Sequence, residues 1–322
     1  MEPKVSIIIP FKAIDDHVKE CIDKCLKLNY TNYDIILLPD KALNRGFLKK
    51  SKKIKSIPTG AIHPSEKRNK AILSLNSEFF ASIDSDAYPK EDWLKNAIPL
   101  FENKKIAAVG GPNLAPNNAS IKELAAIDVI YGRLGVQSAY YIKPYIQFKD
   151  ISECKELASS NLILRASSVK KIKGYKSNLR TGEDSILGNE LRKRGYKILY
   201  SNKVIVYHHR RPLFRPHLKR IFSQSKDKAI VIKKQFSMKS IIFFIPPLFV
   251  LFLLIGFILS ILSITILIIY ASILFIYFII VLLESLKSKK TITVLLVLVG
   301  IPLTHITYGL GFLEGLFLKK RI

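Results

Sequence analysis

Two acids one residue apart, Asp84 and Asp86, follow directly on the apolar run Phe79-Phe80-Ala81-Ser82-Ile83. A run of that composition suits a buried strand, which delivers both carboxylates to its carboxyl end, where ligands bind in open α/β sheets. Paired carboxylate oxygens on a rigid strand end suit a hard divalent cation, and such a cation suits a diphosphate. Asp-x-Asp is also frequent in solvated turns, so the surrounding residues decide between the two. Lys67-Arg68-Asn69 stands near the start of a helix opened by Pro64, where a cation beside backbone N–H groups makes a diphosphate contact; a solvated first turn is the competing reading. Glu183-Asp184 opens another helix, a place where acids ordinarily serve as caps and dipole partners. His208-His209 closes an apolar strand just before the basic stretch Arg210 to Arg220, and is read as a metal or phosphate ligand or as a satisfied structural imidazole.

The elements that must position these groups alternate along the chain. Val5–Ile9 reads as a strand; Val18, Cys21, Ile22, Cys25 and Leu26 keep helical spacing; Tyr33–Leu38 reads as a second strand ending at Pro39-Asp40. This is βαβ order. A short strand over Lys53–Ile57, the Pro64 helix with Ala71, Ile72 and Leu75 on one face, and the strand before Asp84 follow. Pro89 is expected to begin a helix that buries Trp93, Leu94, Ala97, Ile98 and Phe101, and Ile106–Val109 to form a strand before Gly110-Gly111-Pro112. Residues 113–155 are the least regular; their Tyr131, Tyr140, Tyr141 and Tyr145 line an acceptor site, lie on a membrane surface or simply pack. Beyond them come an aliphatic strand ending near Leu164, a helix with Ile186, Leu187 and Leu191 inward, and strands at Lys197–Tyr200 and Val204–Tyr207.

The 322 residues carry a formal charge of +26, and all but six of the 51 Lys and Arg residues precede residue 241. A strongly basic polar part points to nucleic acid, an anionic membrane face or phosphorylated substrates, and the apolar tail beside it favours the membrane. From Ser240 to Leu283 there is no charge, about twice the roughly 20 residues one span needs. Spans are expected at about 241–259, 263–283 and 291–316, with Pro246-Pro247 as a kink in the first. Lys233, Lys234 and Lys239 before the hairpin, and Lys287, Lys289 and Lys290 after it, put both its ends in the cytoplasm. The third segment, with His305 and Glu314, either crosses or takes a re-entrant path, since Lys319-Lys320-Arg321 would otherwise finish outside. Cys21, Cys25 and Cys154 make no disulfide framework, as expected of a reducing compartment. Val5–Ile9 is too short for a signal h-region and is cut off by Pro10, so the amino-terminal part is expected to be cytoplasmic.

Several motifs in order resemble the family 2 glycosyltransferases over roughly residues 4–235. They are Val5-Ser6-Ile7-Ile8-Ile9-Pro10, Lys67-Arg68-Asn69, Ile83-Asp84-Ser85-Asp86 with Pro89 and Trp93-Leu94, and Gly110-Gly111-Pro112. Asn161 ahead of Arg165, Gly174-Tyr175, Gly182-Glu183-Asp184 and Gly195-Tyr196 before the strand ending at His208 continue the series. The resemblance implies an α/β domain of GT-A fold over 1–235, Rossmann-like with a mostly parallel central sheet, followed by an α-helical transmembrane region over 236–322. It further implies that Pro10 begins the nucleotide pocket, Asp40 faces the base or ribose, Asp84 contacts the nucleoside and Asn161 lies on the substrate. Asp86 would bind Mg²⁺ or Mn²⁺ across the diphosphate of a nucleotide sugar, with His208 a further ligand and His209 the runner-up. Arg68 would stabilise the departing nucleoside diphosphate, and Asp184, beside Glu183, would be the general base of an inverting displacement.

Two departures refine this. Leu38-Pro39-Asp40-Lys41 lacks the Asp-Asp-Gly-Ser of many relatives, and Gln224 is followed by Ser225-Lys226-Asp227 in place of the Gln-x-x-Arg-Trp of processive members. The expectation is therefore a single transfer by a multi-pass enzyme of the cell membrane, its catalytic domain cytoplasmic and its acceptor a hydroxyl on a lipid-linked or membrane-associated saccharide. A polyprenyl-phosphate sugar synthase is the alternative, and a non-catalytic basic membrane adaptor a remote one. No RNA-module signature accompanies the charge, and no nucleic-acid partner is expected.

Overall fold

Val5–Pro10 (β1) is buried at all six positions, because both faces of its sheet are covered; hence the apolar run Ile7-Ile8-Ile9 in place of alternation, with Ser6 buried beside it. Val5, Ile7 and Ile9 pack with Val18, Cys21, Ile22 and Cys25 of the helix Asp16–Cys25. Ile8 faces the other way, with Ala71 and Ile72 of the helix Pro64–Ser74. The computed structural model describes residues 2–48, 51–135, 150–176, 182–234, 236, 238–288 and 290–318. Tyr140, Tyr141, Tyr145, Thr181, Lys289, Lys319, Lys320 and Arg321 lie outside them.

The remaining strands are Tyr33–Leu38 (β2), Ile54–Ser56 (β3), Phe79–Ser82 (β4), Ala87–Pro89 (β5), Ile106–Gly110 (β6), Asn113–Leu114 (β7), Ile151–Glu153 (β8), Leu162–Arg165 (β9), Lys197–Ser201 (β10) and Val206–His208 (β11). Of the eleven strands among the described residues, eight form one sheet in the order β3-β2-β1-β4-β9-β6-β10-β8. The half from β3 to β4 is parallel, as the βαβ pattern requires. β9 inserts antiparallel between β4 and β6, and β8 pairs antiparallel with β10, so the sheet is mixed. No periodicity in the aliphatic run Leu162-Ile163-Leu164 reports its direction, so the antiparallel insertion is invisible in the sequence.

A second sheet, β5-β11-β7, corrects the expectation at Pro89: that proline closes β5 and the helix starts later, at Trp93–Ala97. Pro99 then turns the chain to a 3₁₀ helix, Ile98–Phe101. Without this small sheet the carboxylates after β4 and the histidines of β11 would have no common anchor.

The chain forms two compact units, Met1–Pro116 with Tyr140–His209, and Asn117–Ala139 with Arg210–Ile322. The first holds both sheets. The second is helical. Its helix Ile121–Tyr131 lies in the stretch expected to be irregular, and its capping box, Ser120 with Glu123, was a readable signal. Among the described residues three helices are long and apolar enough to cross a membrane: Ser240–Ser260, Ile264–Ser285 and Thr291–Phe317. Pro246 and Pro247 sit in the first α-turn after a 3₁₀ segment, where their missing N–H groups are harmless, rather than at a mid-helix kink. Within this unit Tyr308 and Phe312 pack on Ile221, Ala229 and Ile232 of the helix Arg215–Lys234, and Glu314 pairs with Lys226. His305 bonds the Tyr277 hydroxyl at 3.0 Å and the Leu134 carbonyl at 2.8 Å. Tyr131 is buried, with Arg210 5.4 Å from its ring centre.

Candidate active site

β4 stops at Ser82 and the chain turns through Asp84-Ser85-Asp86 into β5, which pairs with β11 so that Ala87 lies opposite His208. That register sets His208 Nε2 3.1 Å from Asp86 Oδ1. One ligand atom from each of Asp84, Asp86 and His208 falls within 4.8 Å of the others. His208 is 5 % exposed, and its Nδ1 is buried without a hydrogen bond among the described residues. His209, next in the chain, turns away from this group, as successive residues of a strand do, toward Glu20 at 2.8 Å.

Arg68 ties this acidic turn to the second acidic pair. Only 2 % exposed, it donates from Nε to Ser82 Oγ at 2.8 Å and from Nη2 to Asp84 Oδ1 at 2.6 Å, so it holds Asp84 in place instead of offering an open face. Its guanidinium carbon lies 5.8 Å from the centre of the Tyr175 ring. The Tyr175 hydroxyl meets Ser159 Oγ at 2.8 Å, and Ser159 in turn donates to Asp184. The path Asp84, Arg68, Tyr175, Ser159, Asp184 thus joins residues distant in sequence. Burial opposes the charge of Arg68, but Asp84, then Tyr175, Asp184 and Glu183, raise its pKa above the ordinary value. Asp184 responds oppositely. Burial first and the Glu183 charge second push its carboxyl up to about 7, against the Ser159 hydrogen bond and Arg68. Burial likewise raises the Tyr175 hydroxyl well above the usual phenol range, which keeps it a neutral donor or acceptor.

Two glycines make this geometry attainable. Gly182 precedes Glu183 at φ 91°, so the acids occupy the first turn of the helix Glu183–Lys193 with a glycine rather than an acid at its cap. Gly174 has φ 74°, and a Cβ there would overlap Asn69 Oδ1. Asn69 uses that oxygen to accept from the Tyr175 N–H at 2.8 Å and its amide nitrogen to bond the Tyr175 carbonyl at 2.8 Å. Of Lys67-Arg68-Asn69, none is a solvated first-turn residue.

At the other edge Lys67 Nζ reaches the carbonyls of Phe11 at 2.6 Å and Leu38 at 3.2 Å and pairs with Asp40. A buried ammonium thereby gathers the ends of β1 and β2, with Pro10 opposite Leu38, around the Asp40 carboxylate. Asn161 does not join either group. It is 1 % exposed; its oxygen accepts from Trp93 Nε1 at 2.8 Å and its nitrogen donates to the carbonyls of Pro112 at 3.1 Å and Val204 at 2.8 Å. Both amide protons and the oxygen are thus engaged inside the protein, where Asn161 ties Trp93 to the chain at Pro112 and Val204. The contacts that Lys67, Ser159 and Tyr175 make are not visible in the sequence, where Lys67 and Tyr175 appear only as members of the motifs Lys67-Arg68-Asn69 and Gly174-Tyr175.

The family model described as glycosyl transferase family 2 matches residues 6–172, just over half of the chain. The chain belongs to that family. It is a glycosyltransferase, which sets aside the basic adaptor. A dolichyl N-acetyl-α-D-glucosaminyl phosphate 3-β-D-2,3-diacetamido-2,3-dideoxy-β-D-glucuronosyltransferase of Methanococcus voltae is 25% identical over 250 residues, covering 71% of this chain and 74% of that protein. The O-antigen chain rhamnosyltransferase WbaN of Salmonella anatum is 24% identical over 69% of this chain and 61% of its own. The pre-mycofactocin glycosyltransferase of Mycobacterium tuberculosis is 24% identical over 49% of this chain, which spans only 32% of that relative. Among solved structures, the mannosyltransferase PcManGT of Pyrobaculum calidifontis, in complex with GDP-Man and Mn²⁺, superposes with a TM-score of 0.51 at 12% identity. That match covers 72% of this chain and 65% of the other, and carries the GT-A fold.

A divalent cation fits the residues present. Two carboxylates and an imidazole converge, and the protein supplies no second partner among the described residues that would commit the His208 ring to one tautomer.

Proposed function

We propose that this chain is a membrane-anchored, inverting family 2 glycosyltransferase that moves one sugar from a nucleoside-diphosphate sugar to a hydroxyl of a lipid-linked saccharide. The observation that carries the proposal is the network that runs from Asp184 through Ser159, Tyr175 and Arg68 to Asp84, beside Asp86 and His208, with burial and Glu183 pushing the Asp184 carboxyl up to about 7. A carboxylate tuned to that range accepts a proton near neutrality without being so weak a base that it cannot. Asp184 takes the acceptor's hydroxyl proton while the oxygen forms its bond to the anomeric carbon. The bond from that carbon to the diphosphate oxygen breaks with its electron pair leaving on the phosphate, and the configuration inverts. Asp86 and His208, with Asp84 alongside, would hold Mg²⁺ or Mn²⁺, which when bound neutralises charge on the diphosphate. Asp40, positioned by Lys67, and Pro10 take the nucleoside side. Arg68 positions Asp84 and adds positive potential.

An acceptor phosphate is already anionic and needs no base, so the tuned Asp184 favours a hydroxyl acceptor over a polyprenyl phosphate. Three apolar helices and the name of the Methanococcus voltae relative, a transferase of a dolichyl-linked sugar phosphate, support a lipid-linked acceptor. Lys233, Lys234 and Lys239 on one side of the first two helices and Lys287 and Lys290 on the other support a multi-pass cell-membrane protein with its sheet-bearing unit in the cytoplasm. Membranes carrying the chain, incubated with labelled nucleotide sugars, divalent cation and lipid-linked saccharides, should release nucleoside diphosphate one-for-one with an anomerically inverted lipid product. Transfer to polyprenyl phosphate alone, or retention at the anomeric carbon, would overturn the assignment.

A further inference from the structure

Among the described residues, one group of metal-ligating side chains lies outside the set Asp84, Asp86 and His208. His17 and Glu20 stand three apart on the helix Asp16–Cys25 and therefore on one face of it. His209 comes from the end of β11. Its Nε2 lies 2.8 Å from Glu20 Oε2, and its ring centre 4.5 Å from that of His17. One ligand atom from each of the three lies within 4.8 Å of the others. Glu20 and His209 are partly buried and His17 is exposed, so the group is reachable from solvent while two of its members are held in place.

We propose that His17, Glu20 and His209 form a second cation site, selective for Zn²⁺ and separate from the Asp84, Asp86 and His208 group. Donor chemistry separates the two. Two imidazoles and one carboxylate are a set that Zn²⁺ takes tetrahedrally, with a fourth position left for water. Two carboxylates and one imidazole, the set on the other side of β11, are richer in hard oxygen and suit Mg²⁺ or Mn²⁺. Neighbouring histidines divide between the sites: His208 ends β11 with its ring on Asp86, and His209, directly after the strand, turns its ring to Glu20. The His209 imidazole binds as the neutral ring, its proton on the nitrogen away from the metal. On the same helix Asp16 and Lys19 pair with each other at 2.9 Å, and Lys24 lies 5.4 Å from the Tyr88 ring centre; that ring lies 6.1 Å from the ring of His209.

The consequence reaches the first site through the backbone. The His209 N–H donates to the carbonyl of Asp86 at 2.9 Å, so a metal that fastens His209 to the helix Asp16–Cys25 also fastens the turn that carries Asp86. Zn²⁺ here is a clamp on the strand pair β5 and β11, not a participant in transfer.

The test uses the full chain, purified in detergent, stripped with chelator and kept in excess Mg²⁺ so that Zn²⁺ competes poorly for the oxygen-rich group. Zn²⁺ should bind at one equivalent and raise the melting temperature, and Co²⁺ in its place should give the visible absorption of a tetrahedral site. His17→Ala and Glu20→Gln should weaken Zn²⁺ by more than the ~10- to 100-fold that loss of a mere outer partner costs. His17→Ala changes an exposed residue, so its melting temperature without Zn²⁺ should match that of the parent chain. Zn²⁺ affinity unchanged in His17→Ala, or lost in Asp86→Asn but kept in His17→Ala, would overturn the proposal, as would no Zn²⁺ binding by the parent chain. None of these readouts depends on sugar transfer, so a wrong donor or acceptor leaves the Zn²⁺ result unchanged.

Discussion

Asp184→Asn should lower kcat/KM for transfer to a hydroxyl acceptor by roughly 10² to 10⁴, the usual loss when a positioned base is removed. Asparagine keeps the shape and an oxygen that accepts from Ser159, so the network to Tyr175 survives while the proton acceptor is gone. Folding should not suffer. Because the folded carboxyl is raised to about 7 from an unfolded value near ~4, the folded state binds the proton more tightly. The stability contributed by that proton is present at low pH and is lost as pH climbs toward 7; a neutral amide escapes the loss. Activity runs the other way, since only the ionised form accepts a proton. The parent enzyme's kcat/KM should therefore fall on the acid side of about pH 7, and this limb should be missing from the residual activity of Asp184→Asn. A pH–rate profile of both proteins is the check, and full activity in Asp184→Asn would move the acceptor to a lipid phosphate.

Asp86→Asn should cost on the order of 10² to 10³ in kcat, the scale seen when one preorganised stabiliser of developing negative charge is lost. It should also shift the dependence of rate on divalent cation to higher concentration, because a carboxylate ligand has become a weaker neutral one. The loss arises in the ligand set and not in the fold: Asp86 lies in the turn between β4 and β5, and the backbone carbonyl that bonds the His209 N–H remains. Cation titrations of initial rate separate this from Asp184→Asn, for which the midpoint should not move. His208→Ala should shift the same midpoint, and an unmoved midpoint in both variants would remove the cation from these residues.

The parallel half of the sheet was legible because burial on both faces leaves apolar runs without alternation, and Ile7-Ile8-Ile9 and Ile35-Ile36-Leu37-Leu38 are such runs. The Asp84 and Asp86 pair was legible because a strand must end where its apolar run does. The antiparallel entry of β9 was not, since pairing direction is set by partners far away in sequence. Nor was the three-residue β5, too short for periodicity and ended by the proline that suggested a helix. The partners of Asn161 were hidden for a related reason: an amide next to the sheet serves a ligand or a buried N–H equally well by type, and only the place of Trp93 shows what its oxygen has met. Tyr175 was legible only as part of Gly174-Tyr175, and Ser159 gave no signal, because the link from Tyr175 through Ser159 to Asp184 depends on contacts between segments distant in sequence.

A structure of the chain with a nucleoside-diphosphate sugar and Mn²⁺ tests most directly whether the two acidic groups serve one reaction. Anomalous density should place Mn²⁺ against Asp86 and His208 at about 2.0–2.2 Å, the spacing of hard oxygen and imidazole ligands. The anomeric carbon should then present to Asp184 the face opposite its bond to the diphosphate. Density for Mn²⁺ away from Asp86, or a sugar whose reactive face is turned from Asp184, would contradict it.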